Sequence, residues 1–143
     1  MSKKIIGAGL LAIDKQTGKI LLGRRGLDGD SPNTFAPFGG TFEEKDIIPK
    51  TTAKREFAEE TCCSVPYKIS TKPYYINDDN FVRFYTYIGI FEKQFPVVIN
   101  NESLGFGWFD LEHLPENMHE GVKEMFNSRK NQLKKFITKI QLK

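Results

Sequence analysis

The sequence predicts mixed α+β layers, with a sheet covered on its faces. Three observations predict it. Short segments of β character, punctuated by turn residues, fill much of the chain; two stretches of helical character sit among and after them; and 143 residues suit a single layered core. No repeat, low-complexity tract or linker divides residues 1–143, so one domain is expected. Hydrophobic residues at 39% and charged residues at 27% describe a globule that needs neither disulfides nor a structural metal to fold.

Ile5 to Ile13 is apolar with small residues and reads as a buried first strand, followed by a turn at Asp14-Lys15-Gln16-Thr17-Gly18. Lys3-Lys4 ahead of it imitates a signal peptide, but the apolar run leads into that polar turn without a small-residue cleavage site. Ile20 to Arg25 reads as the hairpin partner and Gly26 to Asn33 as a loop. After Phe35-Ala36-Pro37-Phe38, the pair Gly39-Gly40 reads as a tight backbone turn. Pro49 suits the first position of a helix that continues unbroken from Lys50 to Glu60. Lys68 to Ile76, a turn at Asn77-Asp78-Asp79-Asn80, and Phe81 to Phe91 read as a second hairpin. In its second strand, alternation puts Arg83, Tyr85 and Tyr87 on one face and Phe84, Thr86 and Ile88 on the other. Leu104 to Phe109 is a further short strand, and Leu114-Pro115 leads into a terminal amphipathic helix built on Val122, Met125, Phe126, Leu133, Phe136, Ile137 and Ile140.

The charge balance is +3, from 21 Lys and Arg against 18 Asp and Glu, which is too small to imply nucleic-acid binding. The excess lies in the last helix, where Lys123, Arg129, Lys130, Lys134, Lys135, Lys139 and Lys143 outnumber Glu116, Glu120 and Glu124. A solvated basic face accounts for it; an RNA-facing surface has only charge in its favour. No apolar run approaches a membrane span. The only cysteines, Cys62 and Cys63, are adjacent, which suits two reduced thiols in a cytoplasmic protein better than a disulfide or zinc site. His113 and His119 have no ligand spacing to either.

Arg55-Glu56-Phe57-Ala58-Glu59-Glu60 is the densest chemical constellation. On a helix Glu56, Glu59 and Glu60 stand at i, i+3 and i+4, so their carboxylates share one face. Two readings are open: a charged outer face, or a divalent-cation site, since Mg²⁺ takes a few carboxylate oxygens and keeps water elsewhere. Arg25 is a candidate phosphate contact because guanidinium matches phosphate oxygens, or else an exposed strand-end charge. Phe35 is a candidate base-stacking residue, or else a core aromatic.

Gly39-Gly40-Thr41-Phe42-Glu43-Glu44-Lys45-Asp46, then Pro49 and Arg55 to Glu60, resembles the box of the Nudix (MutT-like) hydrolases. That pattern is Gly, five residues, Glu, seven residues, Arg-Glu, an aliphatic, any residue, Glu-Glu, any residue, Gly. Three departures stand out: Asp46 takes the place of the first Glu, one extra residue separates it from Arg55, and Cys62 replaces the last Gly. The insertion is expected to bulge the chain at Ile47-Ile48, and Cys62 must either avoid the positive φ that glycine permits or adopt it at a cost. The resemblance continues in Leu21-Leu22-Gly23-Arg24-Arg25, in Phe35-Ala36-Pro37-Phe38-Gly39-Gly40 with Phe38 inserted, and in Glu102 six residues before Trp108.

The resemblance implies an α/β/α sandwich and hydrolysis of a nucleoside diphosphate linked to another moiety. It implies Glu56, Glu59 and Glu60 as Mg²⁺ or Mn²⁺ ligands, with Gly39 as a carbonyl ligand. Arg55 would organise the carboxylates rather than react, and Glu59 or Glu102 would take the proton from water, Glu102 being alternatively a further metal ligand. A (d)NTP, nucleotide sugar, ADP-ribose or dinucleoside polyphosphate all remain open as substrate, and a homodimer is left open. The rival within the same fold is a nucleotide-binding or regulatory module with weak turnover, motivated by the altered loop at Asp46 to Ile48 and by Cys62.

Overall fold

In the computed structural model, residues 3–143 are described, and they build one eight-stranded sheet between two helices. The strands are β1 (Ile5–Asp14), β2 (Ile20–Arg25), β3 (Phe35–Ala36), β4 (Phe38–Thr41), β5 (Lys68–Ile69), β6 (Tyr75–Asp78), β7 (Val82–Phe91) and β8 (Ser103–Phe109). A short 3-10 turn, Glu44–Asp46, precedes helix α1 (Pro49–Thr61), and helix α2 spans Glu120–Gln141. The mixed α+β sandwich expected from the sequence is the observed fold.

Strand β1 is the axis of the sheet. It runs parallel to β7 from Ile5↔Val82 to Asp14↔Phe91, and on its other side pairs antiparallel with β4, from Gly7↔Thr41 to Leu10↔Phe38. Its hairpin contact with β2 is confined to Ile13↔Ile20; the long partner of β2 is β8. Ala8, Leu10 and Ala12 of β1 join Phe57 and Ala53 of α1, whereas Leu11 and Ile13 join Met125, Phe126, Leu133 and Ile137 of α2. Both faces are buried, so the strand reads as an apolar run rather than an alternation.

Three readings of the sequence need correction. Gly39-Gly40 is not a turn but the middle of β4. A Cβ at Gly39 would fall 2.5 Å from the Ala8 carbonyl oxygen, and one at Gly40 2.5 Å from the Glu56 carboxylate carbon. These glycines serve close approach, not positive φ. Residues 68–76 are also not one strand. Ser70 and Tyr74 both bond back to β7 (to Ile88 O and Thr86 O), and the residues between them, including Pro73 with no N–H to offer, arch out of the ladder. The turn that follows lies later than expected, since Asn77 and Asp78 belong to β6 and the Asp79 carboxylate accepts from the amides of Phe81 and Val82. The terminal helix starts at Glu120, capped by His119 Nδ1, which accepts from Gly121 N at 3.0 Å. Among the described residues no helix is long and apolar enough to cross a membrane.

Candidate active site

Pro49 occupies the first turn of α1, where its missing N–H is no loss. Thr52, Ala53, Phe57, Glu60 and Thr61 form the helix face buried against the sheet, so the helix must carry Glu60 inward with Phe57. Glu60 is 9% exposed, and the side chain of Glu56 is 15% exposed, while that of Glu59 is 56% exposed at the rim. This separates the two readings of the acidic cluster: a solvated outer face does not bury two of its three carboxylates.

Burial pushes the Glu60 carboxyl up to about 8, and the charges of Glu56 and Glu102 push the same way, against the backbone of Gly39. Glu56 is also raised, mainly by burial, with Arg55 opposing. Glu102, just before β8, is therefore close enough to α1 to be felt by both carboxylates. A cavity of about 240 Å³ is lined by Arg24 and Arg25 of β2, Asp28, Gly39 and Gly40 of β4, Glu60, Glu102 and Ser103. A second cavity of about 250 Å³, lined by Thr17, His113 and Lys134 among others, holds none of these carboxylates.

Arg55 ties the cluster together. Its Nε donates to Asp46 Oδ1 at 2.8 Å and its Nη2 to Asp46 Oδ2 at 3.0 Å and to Thr41 O at 3.2 Å. Its Nη1 donates to Glu56 Oε1 at 3.0 Å and reaches Glu59 Oε1 at 3.4 Å. Arg55 holds the Asp46 carboxyl far below the usual carboxylate range, and Asp46 in turn raises Arg55 above its own ordinary value. Asp46 also accepts from Thr52 Oγ1 at 2.8 Å and Glu43 N at 2.9 Å. Thr52 and the Thr41 carbonyl were not visible as site residues in the sequence; Asp46 had a signal in its box position, but not its burial.

The structure brings Glu60, Glu102, Gly39 and Arg25 to one cavity; Glu56 lies against Gly40, and Arg55 bonds to Glu56 and reaches Glu59. Arg25 is tied to Asp30 Oδ1 at 3.1 Å within the loop that follows β2. Phe35 stands apart from the carboxylates, half-buried on the α2 face and edge-on to Phe109 at 5.4 Å between ring centroids. Cys62 takes the positive φ of the glycine it replaces (φ 54°) and caps α1, its N–H donating to Ala58 O. Among the described residues no three His, Cys, Asp or Glu side chains converge on one point as they stand; Arg55 pairs with both Glu56 and Glu59. The donor chemistry nonetheless fits a hard divalent cation: clustered carboxylates, one of them, Glu60, raised first by burial and then by its neighbours' charge.

A carboxylate-bearing helix beneath a glycine strand, facing an arginine-lined cavity, defines the class of phosphate-processing hydrolases that the box implied. The chain belongs to the Nudix family: the family model for the NUDIX domain matches residues 3–128. By family it is a pyrophosphohydrolase acting on a nucleotide-linked substrate. No curated protein matches the chain. Among solved structures it is similar to the Nudix hydrolase RenU from M. smegmatis, with a TM-score of 0.73 at 18% identity over 94% of this chain and 86% of that one. The NUDIX domain of Shewanella oneidensis NrtR, in complex with ADP ribose, gives 0.72 at 15% identity over 92% and 90%. The MutT protein from Methanosarcina mazei Go1 gives 0.71 at 19% identity over 92% and 97%.

Proposed function

We propose that the chain hydrolyses a phosphoanhydride bond in a nucleoside diphosphate linked to another moiety, using Mg²⁺ or Mn²⁺ held by Glu56, Glu59 and Glu60 with the carbonyl of Gly39. The observation that carries this is the inward burial of Glu60, at the wall of a cavity that Arg25 and Glu102 also line, with the largely buried Glu56 lying against Gly40 of the same lining. A bound divalent cation would offset phosphate charge and ease deprotonation of an attacking water.

The chain's own residues do the rest. Arg25 faces the cavity from β2 and holds phosphate oxygens, exchanging its ion pair with Asp30 for them. Arg55 holds Glu56 and Glu59 in place from below rather than meeting substrate. Glu102 lines the cavity, whereas Glu59 stands at the rim in contact with Arg55, so Glu102 is the better placed to take the proton from water. Phe35, on the opposite face of the sheet from α1, stacks on a base only if the nucleoside reaches over the edge formed by β3.

The reading is tested by phosphate release with Mg²⁺ or Mn²⁺ across (d)NTPs, nucleotide sugars, dinucleoside polyphosphates and ADP-ribose, the last being the ligand of the S. oneidensis domain. Turnover on one class names the substrate. Binding of a nucleotide and metal without turnover would favour the regulatory module instead.

A further inference from the structure

We propose that Asp46 and the residue inserted after it are a matched pair: the extra residue, Ile47, delivers a carboxylate one methylene shorter than Glu to Arg55, making Asp46 a positioning residue for Glu56 and Glu59. This rests on the function proposed above, because the carboxylates being positioned are those assigned to the metal.

Asp46 is 2% exposed, and both of its oxygens are engaged by four donors, from Arg55 twice, Thr52 and Glu43. The segment from Asp46 to the helix leaves little freedom. Pro49 is fixed in the first turn of α1, and Ile48 before it is held extended (φ −132°, ψ 153°), as the residue before a proline must be. Ile47 alone takes up the slack. It adopts φ 70° and ψ −49°, and Ile48 N donates to Asp46 O at 2.7 Å, closing a three-residue γ-turn of the rare, strained hand. A β-branched residue is poorly suited to that conformation. Nor does burial compensate for it, since Ile47 is 81% exposed. Such strain persists where the surroundings over-determine it. Here the fixed points are the Asp46 carboxylate on one side and Pro49 on the other.

The consequence reaches the site through one guanidinium. With Nε and Nη2 side-on to Asp46, only Nη1 is left for the helix carboxylates, and it lies 3.0 Å from Glu56 and 3.4 Å from Glu59. A Glu at position 46 with the insertion kept would overfill a closed site, and an Asp without the insertion would fall short of Arg55.

The test compares the wild type with Asp46→Glu, deletion of Ile47, and the two changes combined. Mn²⁺ affinity is read from the EPR signal of free Mn²⁺, beside Tm and the separate kcat and KM. Each single change is expected to weaken Mn²⁺ binding about tenfold, as loss of an outer-shell partner does, and to lower kcat more than KM. The combined variant is expected to return to within about threefold of wild type. A combined variant no better than the poorer single one, or single variants that match wild type, would overturn the pairing. Wild type that binds no Mn²⁺ would overturn the metal reading instead. The pairing would then stand or fall on Tm, which must drop in both single variants and recover in the combined one. A single variant too unstable to purify, rescued by the second change, also supports it.

Discussion

Glu56 lies across Gly40 so closely that a Cβ on residue 40 would come within 2.5 Å of its carboxylate carbon and 2.7 Å of both its oxygens. The clashing atoms are the far end of a flexible side chain, so a Gly40→Ala change moves the carboxylate rather than the backbone. Mn²⁺ affinity should fall by about tenfold or more with little change in Tm. Gly39 offers the contrast. Its Cβ would meet backbone, Ala8 O at 2.5 Å and Gly9 Cα at 2.6 Å, where neither strand can yield. Gly39→Ala should cost about 1–3 kcal/mol of stability, as overpacking does, measured by urea unfolding. Equal stability in the two variants would contradict the assigned contacts.

Cys62 ends α1 with a left-handed backbone that its side chain disfavours. Cys62→Gly should stabilise the protein by about 1 kcal/mol, less a few tenths for the freer unfolded chain. It is expected to leave turnover alone, since Cys62 is exposed and lies past the end of α1. Destabilisation on thermal unfolding would show that Cys62 does something the backbone does not reveal.

His119 gives the fold a predictable acid sensitivity. Burial, and then the charge of Arg25, hold it below its ordinary value of 6.5, while Asp30 and Glu120 pull the other way. Its neutral Nδ1 must stay unprotonated to cap α2. The unfolded chain therefore takes up this proton first as the pH falls, and stability drops below about pH 6.5 towards the lower folded pKa and is flat above it. His119→Asn keeps an acceptor at the cap without titrating. Chemical denaturation at pH 7.5 and 5.5 should show a smaller acid loss in the variant; an unchanged loss would place the sensitivity elsewhere.

Much of this was legible in residue order, and what was not shares a cause. The first two strands, α1 and the carboxylate spacing are local patterns, read from apolar runs, Pro49 and the i, i+3, i+4 rule. Gly39-Gly40 misled because glycine signals both turns and close approach. Only the Ala8 carbonyl and the Glu56 side chain, which the fold brings near from distant positions, tell the two apart. The parallel pairing of β1 with β7 is likewise non-local, and the hairpin expected for β1 and β2 survives only at Ile13↔Ile20. The bulge at Ile47 was expected from the insertion, but the burial of Asp46 that explains it was not. Which face of α1 meets the sheet decided the site, and that followed from Phe57 and Ala53 being apolar neighbours of Glu56 and Glu60.

The most direct measurement of the central claim is Mg²⁺-dependent phosphate release on the best substrate of the nucleotide panel, comparing wild type with Glu59→Gln and Glu102→Gln at matched folding. Loss of Glu59 should nearly abolish turnover with Tm similar to wild type. Loss of Glu102 should lower kcat by about a hundredfold or more, the range of a general base, with Mn²⁺ binding largely kept. Turnover near wild type in Glu59→Gln would contradict the account, because the carboxylates gathered on α1 would then not be the centre of the reaction.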